Sequence, residues 1–207
     1  MRASTVIPAA LAATVLAACT GPTVVTTEES GPAASATPTA PPPPPLNTTN
    51  LVNAFSFGVP VDGFTQYFFT TPSGRWECGI VPRVHAGCQA ADGAALGIGG
   101  APEFVTDAAG AEAEPTAILV GRDGDPAFVA FEDAPFAPPE ATASVLQFNQ
   151  VLAVAGFRCN VQEASGVSCL SERSGRGFTF SADGYAPQYT EVPAGAPVPS
   201  PTTSSTR

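Results

Sequence analysis

Through the middle of this chain, short apolar runs rich in aromatic and β-branched residues alternate with clusters of Gly, Pro and Asp: 51–57, 64–70, 76–81, 117–120, 127–131, 145–154 and 177–181. Runs of this length between breakers predict β-strands. Within 145–154, Leu146, Phe148, Leu152 and Val154 fall on one face and Gln147 and Asn149 on the other, which is the period of a half-buried strand. Gly121-Arg122-Asp123-Gly124-Asp125-Pro126 joins two of the runs and predicts a hairpin turn. Only the Ala-rich stretch 107–114 invites a helix, and Gly110 interrupts it. The pattern predicts a mainly β domain over 51–192, a small antiparallel sandwich or open barrel.

The ends read differently. Residues 1–18 have the layout of a cleaved export signal, with one charge at Arg2, an apolar stretch over 6–18 and small residues before Cys19. That stretch is shorter than the roughly 18 to 20 residues a spanning helix needs. Leu16-Ala17-Ala18-Cys19 resembles the bacterial lipoprotein box, which implies that the Cys19 thiol takes a diacylglycerol and that the new amino group is acylated after cleavage. Two or more acyl chains anchor a protein stably where one does not. From 19 to 50 the chain is Thr, Ala, Ser, Glu and Pro, including Pro41-Pro42-Pro43-Pro44-Pro45, a composition that buries too little to fold and stiffens into a spacer. Residues 193–207 return to this character and are expected to form a disordered tail.

Charge narrows the partners. The chain carries a net charge of −10 and no Lys, and the six arginines of 51–192 are outnumbered by acids. Direct nucleic-acid binding, which relies on neutralising phosphates, is excluded on this ground. An acidic surface is also repelled by anionic lipid, so acyl chains rather than the protein surface should hold the chain to the membrane.

Once Cys19 is lipidated, four cysteines remain, an even number in an exported domain. Cys78 and Cys88 are separated as Cys159 and Cys169 are, and each pair brackets turn-prone residues: Gly79, Pro82 and Gly87, then Asn160, Ser165 and Gly166. A hairpin of this size sets its two cysteines opposite each other, which favours 78 with 88 and 159 with 169. The arithmetic also permits 78 with 159 or 78 with 169. Zinc is disfavoured, because neither pair has C-x₂₋₄-C spacing. Gly, an aromatic and an Arg precede the first cysteine of both pairs, in 73–78 and 155–159, as a weak internal duplication would leave them.

Thr71-Pro72-Ser73-Gly74-Arg75-Trp76-Glu77-Cys78, Ala155-Gly156-Phe157-Arg158-Cys159, Ser165-Gly166-Val167-Ser168-Cys169 and Ser174-Gly175-Arg176-Gly177-Phe178 resemble a domain of unknown function in exported proteins and lipoproteins of high-GC Gram-positive bacteria. That family runs Phe-x-Ser-Pro-Ser-Gly-Asn-Ile-x-Cys early and Ser-Gly-Val-x-Cys, then Gly-His-Gly-Phe, late. Here Arg75-Trp76 replaces Asn-Ile, Arg176 replaces His, and 90–143 has no counterpart. The resemblance covers about a third of the domain and implies compartment and disulfides but no activity.

No residue set specifies a reaction. The only histidine, His85, falls in an expected hairpin loop and reads as a solvated surface residue without acid or nucleophile beside it. No Gly-x-Ser-x-Gly elbow is present. Asp123 and Asp125 lack the rest of a calcium loop and read as turn residues. Gly97-Ile98-Gly99-Gly100 lacks the Lys-Ser/Thr of a phosphate loop. Glu77, Asp133 and Glu163 are scattered acids. Trp76, Phe157 and Phe178 either line a sugar or lipid pocket or fill the core, the commoner fate of aromatics in a small β domain.

The expectation is a lipid-anchored protein on the extracytoplasmic face of the cell membrane, not an enzyme, without metal or other cofactor, whose domain binds or scaffolds an envelope protein, glycan or lipid. The alternatives are a carrier of a lipid or small hydrophobic ligand, which needs an apolar cavity, and a hydrolase working through two opposed carboxylates.

Overall fold

The computed structural model describes residues 46 and 48–198. The expected leader, Cys19, nearly all of the spacer and the last nine residues lie outside them. No helix among the described residues is long and apolar enough to cross a membrane.

The fold is mainly β and antiparallel, in two principal sheets. The first contains β1 (Gly58–Val61), β2 (Phe64–Thr70), β3 (Trp76–Val81), β4 (His85–Ala90), β7 (Ala117–Gly121) and β8 (Pro126–Val129) in that order. β9 (Ser144–Val145) lies parallel to the end of β2. The second sheet is β10 (Val151–Val154), β11 (Phe157–Gln162), β12 (Gly166–Ser171), β13 (Gly177–Phe180) and β14 (Tyr185–Ala186), a meander in chain order. A separate small hairpin joins β5 (Val105–Thr106) to β6 (Glu112–Ala113).

Alternation explains the layering. Trp76, Cys78 and Ile80 of β3, Ala86, Cys88 and Ala90 of β4, Phe157, Cys159 and Val161 of β11, and Phe178 and Phe180 of β13 all turn into one shared core. β4 and β7 face β11, β12 and β13 across it.

Each sheet also buries part of its outer face, beneath a strap of irregular chain. On the first sheet, Phe136 is fully buried over Gly79 and Gly87, cross-strand partners in β3 and β4. Its amide donates to Gln89 Oε1 at 3.0 Å. On the second, the outward Asn160 and Gln162 amides donate to the Thr190 carbonyl at 3.0 and 3.1 Å, the Thr179 hydroxyl donates to the Gln188 carbonyl at 2.8 Å, and Val192 is fully buried. A polar outer face is tolerated there because the strap's carbonyls satisfy it.

Three sequence expectations are revised. Residues 51–57 form no strand beyond the isolated bridge of Leu51 to Val151; 54–57 is a 3-10 turn capped by Asn53, whose side chain accepts from Phe55 N. The run 145–154 is two strands, β9 and β10, because Asn149 sits at φ 62, in the left-handed region. As the interruption at Gly110 suggested, 107–114 forms no helix: it spans a turn in which Asp107 Oδ1 accepts from Ala109 and Ala111 N. Part of the segment read as tail is held on the domain: Asn50 Nδ2 donates to the Ala196 carbonyl and Asn149 Nδ2 to that of Pro197.

Candidate functional site

The cysteines settle into the local pairing. Cys78 and Cys88 face each other across β3 and β4, and Cys159 and Cys169 across β11 and β12, with Cα separations of 4.0 and 4.1 Å. All four are fully buried, so the two bridges lie within the core between the sheets. Among the described residues no group of three His, Cys, Asp or Glu could hold a metal ion.

Trp76, Phe157 and Phe178 fill the interior. They are 6%, 1% and 0% exposed, and the Trp76 ring stands edge-on to Phe180 at 5.1 Å. The Arg75 guanidinium lies 4.7 Å over the Trp76 ring, closing the outer side of that indole with a cation–π contact.

His85 is not in a loop. It opens β4, half-buried, with its ring edge-on to Phe136 at 5.6 Å and Nε2 buried without a hydrogen-bond partner. Burial pushes its pKa down, so it sits neutral against an aromatic. Asp123 and Asp125, in the β7–β8 turn, pair with Arg173 and Arg176 rather than with each other. Gly97-Ile98-Gly99-Gly100 packs against the chain instead of cradling a ligand: a Cβ at Gly99 would meet the Asp183 carbonyl oxygen at 2.3 Å.

The scattered acids stay apart. Glu77 accepts from Gln89 Nε2 at 3.4 Å on β3, while Glu163 is exposed in the β11–β12 turn. Asp133 lines a shallow groove of about 270 Å³ together with Glu132 and Asp107, the last already engaged by its own turn.

A feature that motif reading missed lies at the hairpin-loop end of the sandwich. The β3–β4, β7–β8, β10–β11 and β12–β13 turns bring Arg83, Arg122, Ala155, Gly156, Phe157 and Arg173 around one groove of about 400 Å³. The turns are knitted together: Arg83 N donates to the Ala155 carbonyl, Arg122 N to that of Val84, Glu172 N to that of Gly156, and Ser171 Oγ to that of Arg122 at 2.6 Å. The signal available in sequence was the scarcity of arginine, with each of these three beside a turn residue, but only the topology gathers them.

The chain matches no protein-family model, no curated protein and no solved structure.

Proposed function

We propose that this chain is an extracytoplasmic lipoprotein, held at the cell membrane by acyl chains on Cys19, whose β-sandwich is a non-enzymatic module that binds or scaffolds an envelope protein, glycan or lipid. The observation that carries this reading is the polarity of β10. At its start, Val151 N donates to the Asn50 carbonyl, and Asn50 and Asn149 hold Ala196 and Pro197, so the chain reaches and leaves the sandwich at one place. At its other end, about 13 Å of strand away at 3.3 Å per residue, the Ala155-Gly156 turn lines the groove among the hairpin loops. A tethered binding module keeps its recognition loops away from its tether in this manner.

Two buried disulfides favour an oxidising compartment. The packed aromatics favour recognition at the surface over carriage inside, since Trp76, Phe157 and Phe178 occupy the space a carrier would leave open. The test is acylation and fractionation in a bacterial host that processes lipoproteins. The chain should incorporate labelled palmitate and sediment with membranes, and Cys19→Ala should abolish labelling and release the protein or leave it unprocessed. Membrane attachment undiminished by Cys19→Ala refutes the anchor; a crosslinked, detergent-solubilised chain with no copurifying protein, glycan or lipid refutes the binding role.

A further inference from the structure

Three of the six arginines of 51–192 line one concavity in a chain of net charge −10. Their counter-ions are unequally shared. Arg173 is held by Asp123, and Arg176 beside it by Asp125, whereas among the described residues Arg83 and Arg122 make no ion pair. Both are exposed, and Phe157 behind them is 1% exposed, part of the core on which the groove rests. Like charges around a concavity with low-dielectric walls focus a positive potential and raise the local concentration of anions.

The backbone holds this arrangement at a cost. Only four described non-glycine residues have positive φ, and two of them, Arg83 (φ 63) and Ala155 (φ 55), line this groove and are joined by the Arg83 N to Ala155 O bond. Such residues cost on the order of 1 kcal/mol or more each and cluster at ligand-binding positions. The left-handed turn fixes where the Arg83 side chain leaves the β3–β4 hairpin.

We propose that this groove binds a phosphoryl group, with Arg83 and Arg122 as the principal donors and Arg173, steered by Asp123, as the third. A guanidinium presents a planar fork suited to two oxygens of one anion. Three such forks present about six N–H donors, more than the roughly four lone-pair sites on a carboxylate's two oxygens, whereas the three terminal oxygens of a phosphoryl group offer about six. The groove, about 400 Å³, exceeds a phosphate alone and leaves room for the molecule that carries it. The proposal deepens the binding role above and does not depend on the anchor.

The test is a titration of the isotope-labelled full-length chain with inorganic phosphate, followed by amide chemical shifts, with chloride at matched ionic strength and acetate as controls. Saturable shifts confined to 83–84, 122, 155–157 and 173 are expected, and Arg83→Gln and Arg122→Gln should each weaken binding about tenfold or more, the fold-change of one lost charge-assisted hydrogen bond. Phosphatidylglycerol vesicles that move the same amides, where phosphatidylcholine does not, identify a lipid headgroup as the source; a response to free phosphate alone identifies a soluble ligand. An equal response to acetate, or shifts spread as chloride spreads them, overturns the proposal, and the wild-type map decides this even if a variant fails to fold. A partner captured elsewhere on a domain whose groove ignores phosphate overturns the groove and leaves the binding role standing.

Discussion

Gly87 shows how one residue is chosen by another 49 positions away. A Cβ built there would stand 2.3 Å from Phe136 Cζ and 2.7 Å from the Ile118 carbonyl oxygen, so the ring can lie flat over β4 only if this position is glycine. Gly87→Ala should therefore destabilise the fold by about 1–3 kcal/mol through overpacking, and Phe136→Ala by about 3–5 kcal/mol through the void left at a fully buried ring. The double variant should fall short of the sum by about 0.5–3 kcal/mol, because removing the ring removes its part of the clash and leaves only the contact with the Ile118 carbonyl; additive losses in denaturant melts would show that the two do not meet. His85, edge-on to the same ring, gives a pH signature. Burial lowers its folded pKa below the ordinary value of about 6.5, so below about 6.5 the unfolded chain binds the extra proton and stability decreases as the pH is lowered. Its contribution is complete above that value and lost going down, so a stability profile from pH 7.5 to 5.5 should slope in wild type and flatten in His85→Gln. Neither role was legible in the sequence. His85-Ala86-Gly87-Cys88-Gln89-Ala90 lacks β-branched residues and reads as loop, since small residues there make sense only once Phe136 is placed over them.

At the scale of elements, the disulfide hairpins were the most legible feature, because a ten-residue separation around turn residues constrains geometry whatever else the chain does. Each closes a short loop, for which chain entropy gives about 2–3 kcal/mol. Replacing Cys159 and Cys169 together by Ala should lower stability by at least that amount, measured by urea denaturation of the oxidised proteins, since both sulfurs also fill the core. A loss under about 1 kcal/mol would contradict the closure account. Periodicity was a poorer guide. Leu146 and Leu152 are both fully buried, as their shared phase suggested, yet they belong to different segments on either side of the left-handed Asn149. The suspected duplication also shifts. The closest match to Ser73-Gly74-Arg75 is Ser174-Gly175-Arg176, where glycines at φ 68 and φ 70 follow serines whose Oγ accepts the arginine N at 3.3 Å in both turns. The stretch 155–159 instead begins with a tight turn at Ala155-Gly156. Aligning cysteines had matched strands whose preceding turns differ.

For the molecule as a whole, the fold class followed from short runs between breakers, whereas the extent of the domain did not. Composition placed its end near Val192, yet what decides the boundary is which backbone carbonyls are used as acceptors, and composition does not report that. Deleting 193–207 removes the Pro197 carbonyl that accepts from Asn149 and the Ala196 carbonyl that accepts from Asn50, while Asn50 Nδ2 keeps its 2.8 Å bond to the Asn149 carbonyl; each lost bond is worth about 1 kcal/mol or less. Deleting from Gln188 onward is a different operation. It withdraws the Gln188 and Thr190 carbonyls that satisfy Thr179, Asn160 and Gln162, and it removes Val192, whose burial contributes about 1.5–3 kcal/mol. It also uncovers Gly177, against whose backbone the Tyr189 Cβ is packed. Thermal melts of the two truncations should therefore diverge: the first should stay within about 2 kcal/mol of the full chain, and the second should lose more than about 4 kcal/mol, a large part of the 5–15 kcal/mol that holds a domain folded. Equal melting of the two would mean that the strap 188–192 merely rests on the second sheet, and that the polar outer face of β11 is satisfied by water instead.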